Sequence, residues 1–157
     1  MAGESDSNNF KTLVGIVIQA EMSGLALHER ILELGPTPQF IIDLGIGFEQ
    51  LDLILKAKNV GKMVFDHGMK QGVIERMPDL IVSPKAIYRS DSPNPSLAKS
   101  AVVMTYETHN GSPIIVPIHS AKMVGRRKVN EVASMYGKEG PDPEVKWKKA
   151  GLLLWEA

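Results

Sequence analysis

The sequence predicts an α+β fold, with N-terminal helices packed on an antiparallel sheet of four or slightly more strands. Three observations lead there. Helical signals dominate up to Pro84, and extended, alternating segments dominate after it. Asn110-Gly111 stands between two alternating runs, and that pair accepts the positive φ of a tight hairpin turn. A last apolar run, residues 152–155, supplies a strand that closes the sheet. Helices first and a meandering sheet afterwards is the element order of an α+β domain.

Residues 1–9 read as a disordered tail, because Gly, Glu, Asp, Ser and Asn dominate them. Residues 10–157 then form a single domain, with residues 10–35 as an added helical element. Leu25, His28, Ile31 and Leu32 suit one face of an amphipathic helix, stopped by Gly35-Pro36. Residues 40–44 and 51–55 are short strands or buried turns. Asn59 can cap a helix running to His67, with Gly68 as its stop and Val60, Met63 and Val64 facing inward. Residues 72–77 form a second short helix, and Pro78 and Pro84 restrict its exit.

Residues 86–89 form a short strand, and residues 90–96 (SDSPNPS) a loop. Residues 101–108 and 113–119 are the two strands of the hairpin, with Ile114, Val116 and Ile118 on one face and Ile115, Pro117 and His119 on the other. Pro117 cannot donate to a ladder, which points to an edge or a bulge. Residues 121–128 form a basic loop, residues 130–136 a further strand, and Gly140-Pro141-Asp142-Pro143 a turn into a helix over residues 144–149.

At 157 residues and 43% hydrophobic content, the chain can fill one core. It contains no Cys, which removes disulfides and thiolate metal sites and is compatible with a reducing cytoplasm. Residues 1–9 lack the apolar core of a signal peptide, and runs such as residues 13–18 are too short to span a bilayer, so no membrane role is expected. Lys plus Arg and Asp plus Glu each count 18, a balance unlike that of a dedicated nucleic-acid binder. Cations nevertheless cluster at Lys122, Arg126, Arg127 and Lys128, and at Lys146, Lys148 and Lys149. No HExxH, P-loop or dinucleotide glycine pattern occurs, and the adjacent Asp66 and His67 point apart on a helix, so neither metal nor cofactor is expected.

Four segments, HGMKQGVIERMPDLIVSPKAIYRS, NGSPIIVPI, VNEVASMYGKEG and GLLLWEA, resemble in order and spacing the phage- and plasmid-associated nuclease-like domains of the barnase–colicin–RelE-like superfamily. Such domains stand at the ends of phage head-morphogenesis or polyvalent proteins. The resemblance covers residues 36–157. It implies a metal-independent endoribonuclease site on an open sheet face. By match, His67 takes the place of the family's helical histidine and Ser134 that of its strand Ser/Thr, while Tyr88, Arg89 and Tyr136 fall on adjoining strand positions.

Metal-free RNA cleavage needs a base for the 2′-OH, an acid for the departing 5′ oxygen and cations for the phosphorane. Histidine suits proton transfer near neutrality, and Arg and Lys suit the charge. The expected catalytic residues are therefore His67, Ser134, Tyr88 and Arg89. Lys122, His119, Arg126 and Tyr136 are the expected substrate-binding residues, the tyrosines as stacking surfaces. His109 reads as a turn residue and His28 as a helix-flank residue. The expected partners are RNA, with tRNA as one candidate, and a protein inhibitor or a virion or host protein. The competing reading is a non-catalytic accessory or binding protein on the same fold, in a phage or plasmid context.

Overall fold

The computed structural model describes residues 2–25, 27–91 and 100–157, with side chains from Asn9 onward. The chain runs α1 (Ala2–Met22), β1 (Ile31–Pro36), α2 (Gln39–Ile42), β2 (Asp52–Lys56), α3 (Ala57–Phe65), α4 (Gln71–Glu75), α5 (Met77–Val82) and β3 (Ala86–Arg89). It continues through β4 (Ala101–His109), β5 (Ser112–Val124), β6 (Arg127–Val132), β7 (Tyr136–Gly137), α6 (Pro143–Lys149) and β8 (Leu153–Glu156). The α+β class holds, but the sheet is larger than four strands. All eight belong to one sheet in the order β1-β2-β6-β5-β4-β3-β8, with β7 beside β5. Every pairing is antiparallel except β2 with β6.

Period-2 alternation gives the sheet two apolar faces. On one face Leu53, Leu55, Ile87, Val103, Ile114, Val116, Ile118 and Val132 pack with Phe10, Val14 and Val17 of α1, Val60 and Met63 of α3, Ile74 of α4 and Ile81 of α5. The other face carries a smaller cluster, in which Trp147 of α6 covers Ala86, Tyr88, Val102, Met104 and Ile115. Asp142 caps α6 by accepting from the Glu144 N–H at 2.9 Å, so the turn expected before that helix is also its N-cap.

Several local expectations are revised. The helix begins at Ala2, so the segment read as a tail continues α1. α1 ends at Met22, before a left-handed Gly24 (φ 74°), and among the described residues no helix covers residue 25 or residues 27–32. Leu25 and His28 are exposed there, while in β1 Leu32 is buried and Glu33 exposed. The spacing of Leu25, His28, Ile31 and Leu32 was a coincidence of a turn followed by a strand. Residues 40–44 contain a single helical turn, whereas residues 51–55 mostly belong to β2. α3 starts before Asn59, and Lys56 precedes it without a side-chain cap. α5 is an additional helix, with Pro78 in its first turn. Of the loop over residues 90–96, residues 92–96 lie outside the described residues.

The hairpin forms as expected, with φ of 52° at Asn110 and 82° at Gly111. Its second strand runs on to Val124, so the basic segment is a hairpin tip between β5 and β6 rather than a loop. Pro117 lies inside the sheet, not at an edge. On the side away from β4, β5 pairs with β7 at Ile114 and Ile115 and with β6 from Ile118 onward, and Pro117 sits in the gap between them. Its carbonyl accepts from Ala133 N–H at 2.9 Å. No helix among the described residues is long and apolar enough to cross a membrane.

Candidate functional site

His67 follows the last turn of α3, and the residues around it fix its place. Gly68 adopts φ 67°, a left-handed conformation that costs Gly little. The turn lets Met69 N–H return to the Met63 carbonyl at 2.8 Å, and Met69 is itself buried. His67 is left exposed between two anchored residues.

Across from it, β7 presents Tyr136. The Tyr136 and His67 rings lie with centroids 5.1 Å apart and planes tilted by 30°. Met135 is fully buried in the main core, so the next residue along the chain is directed away from that core. Tyr136 is half-buried and also packs against the Trp147 cluster. Burial, reinforced by Asp91, holds its phenol above the usual tyrosine range and therefore protonated.

These residues share a polar cleft of about 510 Å³, lined by Asp66, His67, His109, Asn110, Tyr136, Gly137, Lys138 and Glu139. His109 comes from the end of β4, where it pairs with Ser112 just before the hairpin turn. Two glycines leave room for it. A Cβ on Gly137 would meet His109 Cβ at 3.2 Å and the His109 carbonyl at 3.3 Å, and a Cβ on Gly68 would lie 3.6 Å from His109 Nε2. The cleft thus holds two imidazoles, a phenol and an ammonium beside two carboxylates. That set can donate and accept protons and bind a polar ligand. Among the described residues, no group of three His, Asp or Glu side chains is placed to hold a metal ion.

Of the residues expected from sequence, only His67 and Tyr136 line this cleft. Tyr88 is fully buried in the Trp147 cluster, its ring 5.2 Å from that of Trp147, and its hydroxyl has no hydrogen-bond partner among the described residues. It is a core residue without access to substrate. Arg89 is exposed at the end of β3, in the row that runs through Ala101 and Ile118. Ser134 is half-buried in the crossing between β6 and β7. Strand alternation over residues 130–136 would put Ser134 on one face with Val132 and Tyr136, but it is broken there, since Val132 joins the main core and Tyr136 the Trp147 cluster.

His119 and Lys122 belong to the other end of β5, and Arg126 to the turn that follows it. At about 3.4 Å per residue, His119 stands ~14 Å along the strand from Ile115, the partner of Tyr136. Beyond His119 a bulge holds Ala121 at φ 53°, secured by its N–H to Asn130 Oδ1 at 2.9 Å. Burial, followed by the charge of Lys122, lowers the His119 pKa, opposed by Glu131. Glu131 is itself buried, 3.1 Å from Lys56 Nζ. Arg126 is exposed at the hairpin tip. The neighbouring cations do not complete a positive rim: Arg127 holds Glu33 at 2.7 and 2.8 Å and Asp52 at 3.0 Å, and Lys128 holds Glu49.

His109, Lys138 and the glycines that admit the hairpin were missed from sequence. The one available signal was the hairpin itself, because a residue just before Asn110-Gly111 sits at the strand end, where a neighbouring loop can reach it.

A family model described as the phage MuF C-terminal domain matches residues 58–156. The match covers well over half of the chain and includes both His67 and Tyr136. It spans α3 through β8, so α1, β1, α2 and β2 lie outside it although β1 and β2 extend the same sheet. No curated protein and no solved structure gives a significant match. The phage association expected from sequence rests on this match, and the chain belongs to the phage MuF C-terminal domain family.

Proposed function

We propose that the domain is a metal-independent endoribonuclease of the barnase–colicin–RelE-like type, acting in a bacterial or phage-infected cytoplasm on single-stranded RNA or tRNA. One observation carries the reading: an exposed imidazole, His67, stacks on Tyr136 inside a polar cleft that also holds Lys138. An exposed imidazole can exchange protons with a bound polymer near neutral pH. The adjoining Tyr136 ring can support it or stack a base. Lys138 supplies positive charge for a phosphorane. His67 serves as general acid or base while the ribose 2′-OH attacks the phosphorus and the 5′ oxygen departs, leaving a 2′,3′-cyclic phosphate and a 5′-hydroxyl. Arg89, Ser134 and Lys122 stand apart from this cleft and take no catalytic role in it.

The test is incubation of the purified protein with tRNA and with a defined single-stranded RNA in EDTA, beside His67→Ala. Cleavage to cyclic-phosphate ends that the substitution removes supports the reading. Asp66 and Glu139 in the cleft wall favour a second reading, a non-catalytic accessory domain that binds a virion or host protein, because their charge opposes a polyanion. No cleavage by the native protein would favour that reading.

A further inference from the structure

His109 was not among the residues that sequence pointed to, yet the hairpin delivers it to the cleft that also holds His67. Three features of the chain, each local to a different segment, converge on its imidazole. The turn at Asn110-Gly111, with positive φ at both residues, reverses β4 at once, so His109 stays at the strand end instead of being carried away on a longer loop. Gly137 sits against His109 Cβ and carbonyl at distances that a Cβ would make too short. Gly68, the residue after His67, lies within van der Waals reach of the ring, its ideal Cβ position 3.6 Å from His109 Nε2. A side chain at Gly137 would press on the hairpin, and one at Gly68 would be strained by its positive φ.

We infer that His109 is the second proton-transfer group of the cleft, working with His67 as an acid–base pair. This rests on the ribonuclease reading above. The reaction moves two protons, one off the 2′ oxygen and one onto the 5′ oxygen, and a pair divides them between two rings. One imidazole accepts the 2′-OH proton while the O2′–P bond forms. The P–O5′ bond breaks, and the 5′ oxygen takes a proton from the other ring, which starts as imidazolium. One proton is taken and one is given, and no further reactant enters. The charged and titratable groups facing the pair are Asp66 from the end of α3, and Tyr136, Lys138 and Glu139 from β7 and the segment after it.

The experiment measures kcat/KM against pH in EDTA for native protein, His67→Ala, His109→Ala and His109→Gln. It uses a single-stranded RNA and a nucleoside 3′-(4-nitrophenyl phosphate), whose leaving group needs no acid. The expected native profile on RNA is a bell. Each alanine variant loses about 10²–10⁴-fold on RNA and keeps a single limb, the two variants keeping opposite limbs. One of the two recovers on the nitrophenyl ester, which marks the general acid. His109→Gln, closer in volume, loses as much as His109→Ala, with thermal unfolding unchanged in both. A His109 variant within threefold of native, with the bell intact, would overturn the role of His109 and leave the ribonuclease reading standing. A loss on RNA with an unaltered bell would mean a positioning effect only, and would also overturn it. A native protein inactive on both substrates would remove the ribonuclease reading and this inference together.

Discussion

Tyr136 of β7 and His67 at the end of α3 stack with ring centroids 5.1 Å apart, although one follows a helix of the first half and the other sits in a two-residue strand of the last quarter. Both lie within the region shared with the phage MuF C-terminal domain family. The contact ties the helical layer to the sheet at the mouth of the polar cleft. What keeps it is mostly backbone: the left-handed Gly68, the buried Met69 and Met135 on either side, and the hairpin seated on Gly137.

Gly137→Ala tests that arrangement. The new methyl would lie 3.2 Å from His109 Cβ and 3.3 Å from the His109 carbonyl, so the hairpin end must move. Overpacking of this kind costs about 1–3 kcal/mol. The shift needed is a few tenths of an ångström, less than the ~1 Å that can cost ~100-fold in rate, so the loss of rate should be smaller than that. The expected result is a small fall in unfolding midpoint with a disproportionate fall in RNA cleavage.

Tyr88→Phe should behave in the opposite way. The Tyr88 hydroxyl is buried beside Trp147 and has no hydrogen-bond partner among the described residues. Removing an unsatisfied buried polar group is neutral or stabilising, by up to about 1–3 kcal/mol. Urea denaturation should show equal or greater stability, and cleavage should match the native protein. A large loss of activity would restore the catalytic role that the sequence suggested.

Much of the fold was legible because it is set by neighbours in sequence. Asn110-Gly111 specifies the hairpin, Gly68 ends α3, and the alternation of Ile114, Val116 and Ile118 names the core face of β5. Contacts between distant segments were not legible. Nothing near Leu53 announces a parallel pairing with Asn130, and nothing in Ala86–Arg89 announces that α6 will lay Trp147 over Tyr88. At the site, His67 and Tyr136 could be named as residue types suited to the chemistry. That His109 would join them depends on how the hairpin tip folds against two glycines, and His119 stood out only because its strand position was readable.

His119 gives a pH signature of stability separate from catalysis. Burial and then Lys122 lower its folded pKa from the ordinary 6.5. The unfolded chain therefore binds more protons than the folded one as pH falls through that region. The contribution is full above about pH 6.5 and is lost as pH drops through the lowered folded value. Native protein should lose more stability between pH 7 and pH 5 than His119→Gln, read from urea midpoints. Equal slopes in the two proteins would contradict the assignment.

The N-terminal elements outside the family match should be required for folding. Phe10, Val14, Val17 and Ile18 of α1 are buried in the main core. Burying side chains of this kind contributes about 1.5–3 kcal/mol each as an upper estimate, so the four together are comparable with the ~5–15 kcal/mol total of a typical domain. A chain lacking residues 10–34 should show no cooperative unfolding transition. A sharp transition near the native midpoint would make these residues an independent addition.

The most direct test of the account is the cleavage of single-stranded RNA in EDTA by native protein and by His67→Ala, with the ends of the products analysed. The account predicts 2′,3′-cyclic phosphate ends from the native protein and a loss of about 10²–10⁴-fold in the variant. Because His67 is exposed, its thermal unfolding should be unchanged. Cleavage at equal rates in both proteins, or none in either, would contradict it.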